Sequence, residues 1–383
     1  MQKLIILLSL FFAFNFSYAQ YDSIAYGGYK RSYLVHLPTG YTENAKLPLV
    51  IAMHGGFGNA DNLQNQSQLS VKADAENFIV VYPEGLKEGI LNISSWNAGW
   101  CCGWASKNNI DDVGFIDALL DTLIDQYSID SGKVYATGMS NGGFMAYRLA
   151  CELSNRIAAI ATVAASMSMT NCTPERPIPI ISFHSYLDEH VPYSGGIGNG
   201  PSLHHNSPQD SVLQVWAEAN LCLNLNDTII HNDQFLHRNW SNCDCESIIE
   251  QYATYDGGHS WPGGKQTLVG DSVSSFINAT DLMWSFFKQH SLDCNSITGL
   301  NWHTKNNKLK IYPNPFTDDI TIKFSMSQVN TEIKLLDITG KVLRAIIING
   351  TEHKIERRDL SAGTYFLEIN NGKNRHAQKI ILL

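Results

Sequence analysis

Long apolar runs are scarce in this sequence: there is one, and it lies at the amino terminus. It extends from Leu4 to Phe16 after Lys3, and Ser17-Tyr18-Ala19 follows it. A short basic start, an apolar core of this length and a small-x-small ending are typical of a secretory signal peptide, whereas a membrane span needs about 20 apolar residues. The sequence therefore predicts an exported protein without a stable membrane span, with residues 1–19 as its signal peptide.

Basic residues are few over most of the chain. Residues 1–304 carry 14 Lys and Arg against 28 Asp and Glu, whereas residues 305–383 carry 13 against 8. Binding to nucleic acid requires a basic surface that neutralises phosphates. The acidic main part therefore argues against a nucleic-acid partner, and the positive excess of the tail is more typical of a solvated face.

Cysteine is absent after residue 294. Export makes the eight cysteines candidates for disulfides, but their spacing assigns no pairing. Adjacent Cys101 and Cys102 would strain a bond between themselves, and Cys243-Asp-Cys245 has the wrong spacing for a usual zinc knuckle. The remaining cysteines are Cys151, Cys172, Cys222 and Cys294.

Short apolar runs alternate with amphipathic stretches from Tyr21 to Gln289. Buried strands are predicted at Leu47–Met53, Phe78–Tyr82, Val134–Met139, Ile157–Val163, Ile178–His184 and Gln251–Tyr255, and helices at Asp112–Tyr127, Gly142–Leu153, Ser211–Leu221 and Ser274–His290. This order indicates an α/β fold, a mostly parallel sheet with helices on both faces. A catalytic domain is expected over residues 20–290.

The pattern changes after residue 290. The polar stretch 291–308 has no periodicity and is expected to be a linker. Strand-like runs separated by Asn, Asp and Gly then predict a small C-terminal β-sandwich over residues 309–383. These runs are Leu309–Tyr312, Ile320–Phe324, Ile333–Leu336, Lys341–Ile348, Thr364–Ile369 and Gln378–Leu382.

The clearest chemical motif is Gly138-Met139-Ser140-Asn141-Gly142, a Gly-x-Ser-x-Gly between a buried strand and a helix. A tight strand-to-helix turn lifts the serine hydroxyl above the sheet, and small glycines let the neighbouring backbone pack closely. The helix start also offers free N–H groups to a developing oxyanion. Ser140 is therefore the predicted nucleophile; the alternative is a Gly-rich turn with an incidental serine.

An acid should follow a strand downstream of the serine. Asp188 lies in the loop just past Ile178–His184 and is the predicted acid. Asp210 and Asp227 are weaker rivals because neither follows a clear strand. The alternative for Asp188 is a solvated loop aspartate.

The base should be a histidine in a late loop. His259 lies in the Gly-rich stretch 256–264 after a strand-like run, and we predict that it deprotonates Ser140 while Asp188 orients it. The alternative is a structural loop histidine. Other histidines lie in polar loops without such framing, namely His204, His205, His231 and His237. No metal and no cofactor are predicted.

Two backbone N–H groups are predicted to hold the oxyanion. One belongs to Asn141, the residue after the nucleophile. The second belongs to Gly56 in the loop His54-Gly55-Gly56-Phe57, with Phe57 as the alternative.

Two tryptophans and two acids near these motifs have open roles. Trp96 and Trp261 could clamp a ring or sugar substrate, and loop anchoring by buried tryptophan is an equal alternative. Asp111 and Asp112 precede an apolar helix and are expected to cap it.

Several ordered blocks together suggest a family. They are His54-Gly55-Gly56, Tyr82-Pro83-Glu84-Gly85, Trp96-Asn97-Ala98-Gly99 with Cys101-Cys102-Gly103, Asp111-Asp112-Val113-Gly114-Phe115, Tyr135 to Gly143, and Gly258-His259-Ser260-Trp261-Pro262-Gly263. Residues of about 25–290 thereby resemble the secreted feruloyl esterase and polyhydroxybutyrate depolymerase-like family, related to carbohydrate esterase family one. The resemblance implies an α/β-hydrolase fold with Ser140, Asp188 and His259 as the triad.

One block departs from the family pattern. The family usually has His-Gly-Thr-x-Asp, and this chain has His184-Ser185-Tyr186-Leu187-Asp188, so the aspartate is kept and the local pocket differs. The resemblance also implies a disulfide from Cys101 or Cys102 to Cys151, and one from Cys222 to Cys243 or Cys245.

The tail carries blocks of its own. They are Tyr312-Pro313-Asn314-Pro315-Phe316, Asp337-Ile338-Thr339-Gly340-Lys341-Val342 and Leu360-Ser361-Ala362-Gly363-Thr364-Tyr365. They resemble the C-terminal sorting domain (type A) of the type IX secretion system of Bacteroidetes. This resemblance implies export past the outer membrane by that machinery, to an extracellular or cell-surface location. A carbohydrate-binding module is the alternative for a small β-domain.

These observations predict a secreted serine carboxylic-ester hydrolase that removes feruloyl or acetyl groups from plant polysaccharides. Hydrolysis of polyhydroxyalkanoates is the alternative within enzymes, and a peptidase is a weaker third because a fold does not fix a substrate. From another class, the chain could be a non-catalytic glycan-binding surface protein on a hydrolase scaffold. The expected partner is accordingly a polysaccharide or polyester ester substrate.

Overall fold

The chain forms two units, Met1–Cys294 and Asn295–Leu383, here called the main unit and the tail unit. The computed structural model describes residues 18–89, 93–169, 172–200, 203–267, 270–293, 309–337, 340–370 and 375–383. Residues 1–17 of the predicted signal peptide and residues 294–308 of the predicted linker lie outside the described residues. Among the residues that the structure describes, no helix combines the length and apolar character needed to cross a membrane.

The main unit contains fourteen strands and seven helices among its described residues. The strands are β1 Tyr18–Tyr26, β2 Tyr29–Leu37, β3 Leu47–Met53, β4 Ile79–Pro83, β5 Leu86–Glu88, β6 Ile93–Ser95, β7 Ile129–Met139, β8 Ala159–Val163, β9 Ile180–Ser185, β10 Gly196–Ile197, β11 His205–Asn206, β12 Asn224–His231, β13 Phe235–Ser241 and β14 Ile249–Thr254. The helices are α1 Ala60–Ser67, α2 Leu69–Glu76, α3 Gly103–Lys107, α4 Asp112–Gln126, α5 Asn141–Glu152, α6 Gln209–Ala219 and α7 Ala279–Phe287.

Ten of these strands form one sheet in the order β1-β2-β4-β3-β7-β8-β9-β14-β13-β12. The central six, from β4 to β14, are parallel to one another. The outer strands β1, β2, β13 and β12 pair antiparallel. The carboxyl ends of the six central strands therefore meet at one edge, where α/β proteins place their sites.

Two apolar cores cover the two faces of this sheet. Successive residues of a strand point to opposite faces, and β3 shows this directly. Leu49 and Ile51 pack into the core that includes α4, α5 and α6, while Val50 and Ala52 pack into the core that includes α1, α2 and α7. The continuous apolar run of β3 is thus explained by burial on both sides, as the sequence predicts.

The bounds of most elements agree closely with prediction, but β7, which begins at Ile129 instead of Val134, and α7 are exceptions. Leu47–Met53 has the predicted bounds, whereas α7 begins at Ala279 instead of Ser274. The Ser274 hydroxyl and the Ser275 backbone N–H both donate to Asp256, and the Asn278 side chain caps the helix by accepting from the Asp281 N–H at 3.0 Å. These tertiary hydrogen bonds hold residues before Asn278 outside the helix.

The disulfides differ in part from those implied by resemblance. Cys222 pairs with Cys243, which confirms that pairing, but Cys151 pairs with Cys172 at a Cα–Cα distance of 5.4 Å. Cys101 pairs with its neighbour Cys102, so the expectation that they avoid each other and that one reaches Cys151 is wrong.

The disulfide that Cys151 already forms explains the correction. Its Cα lies 5.4 Å from that of Cys172, within the usual range for a disulfide. A cysteine forms only one disulfide, so neither Cys101 nor Cys102 can also pair with Cys151.

The tail unit is an antiparallel sheet of five strands. They are β15 Leu309–Tyr312, β16 Asp319–Leu336, β17 Val342–Glu356, β18 Gly363–Asn370 and β19 Arg375–Leu382. The predicted runs Ile320–Phe324 and Ile333–Leu336 are the two ends of the single long strand β16. One end of β16 pairs with β15 and the other with β18, and the sheet encloses its own apolar core, which includes Phe316, Ile322 and Leu367.

Candidate active site

Ser140 lies between β7 and α5 in a conformation that side chains rarely adopt. Its φ is 51° and its ψ is −127°. Its N–H donates to the Val163 carbonyl at 2.9 Å, and its own carbonyl accepts from the N–H groups of Gly143 and Phe144. The surrounding backbone therefore holds Ser140 at a positive φ at the carboxyl edge of the sheet. A strand-to-helix nucleophile turn requires this conformation.

Asp188 follows β9 and is buried within a network of donors. Its Oδ1 accepts from the N–H groups of His190 and Val191, each at 2.9 Å. Its Oδ2 lies 2.9 Å from Nδ1 of His259. Burial alone would raise the pKa of Asp188, but the hydrogen bond and charge of His259, with contributions from His184 and Val191, bring it below its ordinary value. The carboxylate is therefore ionised at neutral pH.

His259 lies in the loop after β14, where its backbone and ring are both held. Its N–H donates to Asp271 Oδ2 at 2.6 Å, and its ring stacks on that of His190 with centroids 4.9 Å apart. Because an ionised carboxylate only accepts, Nδ1 of His259 carries the proton in the bond to Asp188. Nε2 is then left with a lone pair, as a general base requires.

The sheet brings the three predicted catalytic residues to one edge. Ser140, Asp188 and His259 follow β7, β9 and β14, which are parallel strands of the same sheet. The rival acids are held elsewhere. Asp210 accepts from the Tyr193 hydroxyl and from Arg238, and Asp227 is exposed on the outer strand β12.

The predicted oxyanion donors lie beside Ser140. A Cβ built on Gly55 would stand 3.4 Å from the Ser140 Cβ, and one on Gly56 would stand 3.9 Å from the Asn141 Cβ. The N–H of Phe57, the alternative donor, is used by the Ser94 carbonyl at 2.9 Å. The Gly56 N–H is therefore the better candidate donor on that loop. It lies opposite the first N–H of α5, which belongs to Asn141.

His54 holds the loop that carries the predicted oxyanion donor Gly56, a role that sequence reasoning missed. Its Nε2 accepts from the Gly85 N–H at 3.0 Å, so Nδ1 carries the proton and donates to the Gly55 carbonyl at 2.7 Å. In a trans peptide the carbonyl and the following N–H point in opposite directions, so holding the Gly55 oxygen aims the Gly56 N–H. Burial lowers the pKa of His54 to about 4, which keeps it neutral. The sequence signal for this role was the position of His54 between β3 and Gly55-Gly56.

Trp96 and Trp261 do not offer surface to a substrate. Both rings are fully buried, at 0% exposure. The Trp96 indole N–H donates to the His54 carbonyl at 3.0 Å, and that of Trp261 donates to the Thr280 hydroxyl at 2.9 Å. The substrate-contact prediction for these rings is therefore wrong. The alternative of loop anchoring describes them, because their polar edges are satisfied inside the protein.

The two acids before α4 have different structural roles. Asp111 is the N-cap and accepts from the Gly114 N–H at 2.9 Å, as predicted. Asp112 is instead buried in an ion pair with Arg31 at 2.6 Å, and its second oxygen accepts from the Asn97 N–H at 2.7 Å.

Comparison with known families matches both units. Residues 31–170 match the family described as "Esterase PHB depolymerase", and residues 310–383 match the "Secretion system C-terminal sorting domain". The first match includes the loop His54-Gly55-Gly56-Phe57 and Ser140, and the second spans almost all of the described tail unit.

Curated relatives bear esterase names. Feruloyl esterase B of Piromyces equi is 27% identical over 68% of this chain, and the chain spans 46% of that protein's length. Feruloyl esterase C of Emericella nidulans is 26% identical over 67% of this chain and 83% of its own length. A solved acetyl xylan esterase from Aspergillus awamori is 14% identical, with a TM-score of 0.47 over 67% of this chain and 94% of its own.

Proposed function

We propose that this chain is a secreted serine carboxylic-ester hydrolase with a C-terminal sorting domain. In this proposal it removes feruloyl or acetyl groups from plant polysaccharides. The names of the feruloyl esterase relatives support this substrate class. The catalytic residues in the proposal are Ser140, His259 and Asp188.

The observation that carries the proposal is the Asp188–His259 pair at the same sheet edge as Ser140. In the proposed reaction, Nε2 of His259 takes the Ser140 proton while the serine oxygen attacks the ester carbonyl, and the N–H groups of Gly56 and Asn141 bind the oxyanion. The tetrahedral intermediate collapses, His259 protonates the departing alcohol, and an acyl-enzyme remains. Water, deprotonated by His259, then releases the carboxylic acid and regenerates Ser140.

The catalytic assignment is tested at Ser140. Ser140→Ala should lower kcat on a 4-nitrophenyl ester by on the order of 10⁶-fold and abolish labelling by a fluorophosphonate. Ser128→Ala, just before the start of β7, serves as the matched control and should keep both. Near-normal turnover by Ser140→Ala would exclude this nucleophile, and a wild-type chain that takes up no label would favour the non-catalytic glycan-binding alternative.

The substrate is tested with a panel. Methyl ferulate, acetylated xylan, short 4-nitrophenyl esters and polyhydroxybutyrate should be compared by kcat/KM, and the first two should lead. The family description favours a second candidate, polyester hydrolysis. Faster release of hydroxyacid from polyhydroxybutyrate than of ferulate or acetate would establish that candidate instead.

We propose that the tail unit directs export by the type IX secretion machinery. The match over residues 310–383 supports this role. A reporter fused to residues 305–383 should reach the medium or cell surface in a strain with that machinery and stay inside a strain that lacks it. Glycan binding by the isolated fusion without export would favour the carbohydrate-binding alternative.

A further inference from the structure

A second histidine contacts the carboxylate of the proposed triad. His184, near the end of β9, is 1% exposed. Its Nε2 lies 2.7 Å from the Val191 carbonyl oxygen and 3.4 Å from Asp188 Oδ2. The same carboxylate oxygen lies 2.9 Å from Nδ1 of His259. Asp188 Oδ2 is therefore hydrogen-bonded to the His259 ring and also lies close to the His184 ring.

The partners of His184 fix its proton. A carbonyl only accepts hydrogen bonds, so Nε2 of His184 carries the proton and Nδ1 holds a lone pair. Burial lowers the pKa of His184, so the ring is neutral at neutral pH. Its Nδ1 is buried and has no hydrogen-bond partner among the described residues. A buried nitrogen left unpaired is costly, and an apolar residue would fill this space without that cost.

Nε2 of His184 closes the turn that presents Asp188. The Val191 carbonyl accepts from His184, while the Val191 N–H and the His190 N–H both donate to Asp188 Oδ1. The His184 imidazole thus stabilises the turn, and both oxygens of the Asp188 carboxylate accept hydrogen bonds. We propose that His184 is a positioning residue that fixes Asp188 and, with its Nε2–H group 3.4 Å from Oδ2, restrains the basicity that the carboxylate confers on His259. The proposal rests on the proposed triad.

Other polar groups around this cluster are accounted for by their own partners. Glu189 accepts from the Asn199 side chain at 2.9 Å, and Asp271 accepts from the His259 N–H. Tyr193 packs edge-on against the His184 ring with centroids 5.8 Å apart, and its hydroxyl donates to Asp210. The His190 ring stacks on His259 and is unchanged in the variants below.

The test compares His184→Leu, which lacks a donor, with His184→Gln, whose amide can donate from a similar position. Both are made in the full chain and assayed with 4-nitrophenyl acetate. His184→Leu should lower kcat about 10-fold or more with little change in KM. It should also move the acidic limb of kcat/KM to higher pH by about half a unit, because a carboxylate without the nearby His184 N–H stabilises the His259 imidazolium more strongly. His184→Gln should restore most of both properties.

A matched control separates positioning from lost stability. His290 is another histidine in the main unit, and its ring packs on Phe286. His290→Leu should lower the Tm but leave kcat and the pH profile unchanged. If His184→Leu changes only the Tm, or if its acidic limb stays in place or moves to lower pH, the proposal is overturned.

A spectroscopic measurement covers the case in which His184→Leu does not fold. In nitrogen-15 NMR of the wild-type chain at neutral pH, His184 should show a protonated Nε2 and an unprotonated Nδ1. A protonated Nδ1 would contradict the proposal even with Ser140 labelled and active. Loss of label at Ser140 would instead overturn the proposed function itself, so the two failures are distinguishable.

Discussion

Asp112 illustrates two roles of an acid that the sequence does not distinguish, stabilising a helix start and forming a buried ion pair. It stands at the first position of α4, where an acid is favourable near the helix start. In the structure its side chain is 0% exposed and bound to Arg31, whose guanidinium also lies over the Phe115 ring at 3.8 Å. Burial lowers the pKa of Arg31 and raises that of Asp112, so each charge depends on the other.

Loss of Asp112 should therefore be far more harmful than loss of the cap beside it. Asp112→Ala leaves Arg31 buried without its counter-charge and should cost about 3–5 kcal/mol of unfolding free energy. Asp111→Ala removes an N-cap and should cost only about 1 kcal/mol. Urea unfolding followed by tryptophan fluorescence compares the two variants. Equal losses would show that Asp112 acts only as a capping residue.

At the scale of elements, the turn between β7 and α5 depends on how closely β3 approaches the helix. A Cβ on Gly142 would lie 2.0 Å from the Met53 backbone carbonyl oxygen, and one on Gly138 would lie 2.4 Å from the Gly142 backbone. Backbone cannot move aside as a flexible side chain can. The glycines of the motif are thus required by packing between elements, in addition to the turn itself.

Gly142→Ala tests this packing requirement. It should destabilise the main unit by about 3 kcal/mol or more, because overpacking against fixed backbone displaces either β3 or α5. Gly56→Ala is the steric control for folding, since its nearest neighbour would lie 3.9 Å away. Thermal unfolding of both variants measures the difference. A Gly142→Ala chain with the wild-type Tm would disprove the close approach.

At the scale of the molecule, buried neutral histidines link stability to pH. His54 has a pKa of about 4 in the folded chain against about 6.5 when unfolded. Above pH 6.5 both states are neutral and the difference contributes nothing. As the pH falls below 6.5, the unfolded state binds the proton that the folded state refuses, so stability is lost progressively down to the folded pKa.

The unfolding free energy should therefore fall between pH 7 and pH 5, where carboxylates stay ionised. His54 alone accounts for about 2 kcal/mol of that loss, and His184, whose pKa is also lowered by burial, adds to it. Denaturant titrations at the two pH values measure the change. His54→Gln, which does not titrate, should show a smaller fall over the same range; an identical fall would assign the effect to other groups.

Much of the fold follows from local pattern. Strand β3 and helices α4 and α5 are predicted to within a residue at each end, because burial on one or both faces leaves a strong apolar period. Elements with weaker patterns escape prediction. Strand β12 is exposed along its length, so its residues carry no burial signal, and the start of α7 is set by hydrogen bonds to Asp256, distant in sequence.

The sequence by itself determined the order of chemistry along the chain: a serine at a strand-to-helix turn, an acid after a later strand, a histidine in a glycine-rich loop, and a separable tail. These depend on residues close together in the chain. Only the tertiary structure decided what those residues touch. It pairs Cys151 with Cys172, buries Trp96 and Trp261, and places His54 and His184 beside the predicted site. Such contacts join residues from different strands and loops, and sequence spacing does not encode which of them meet.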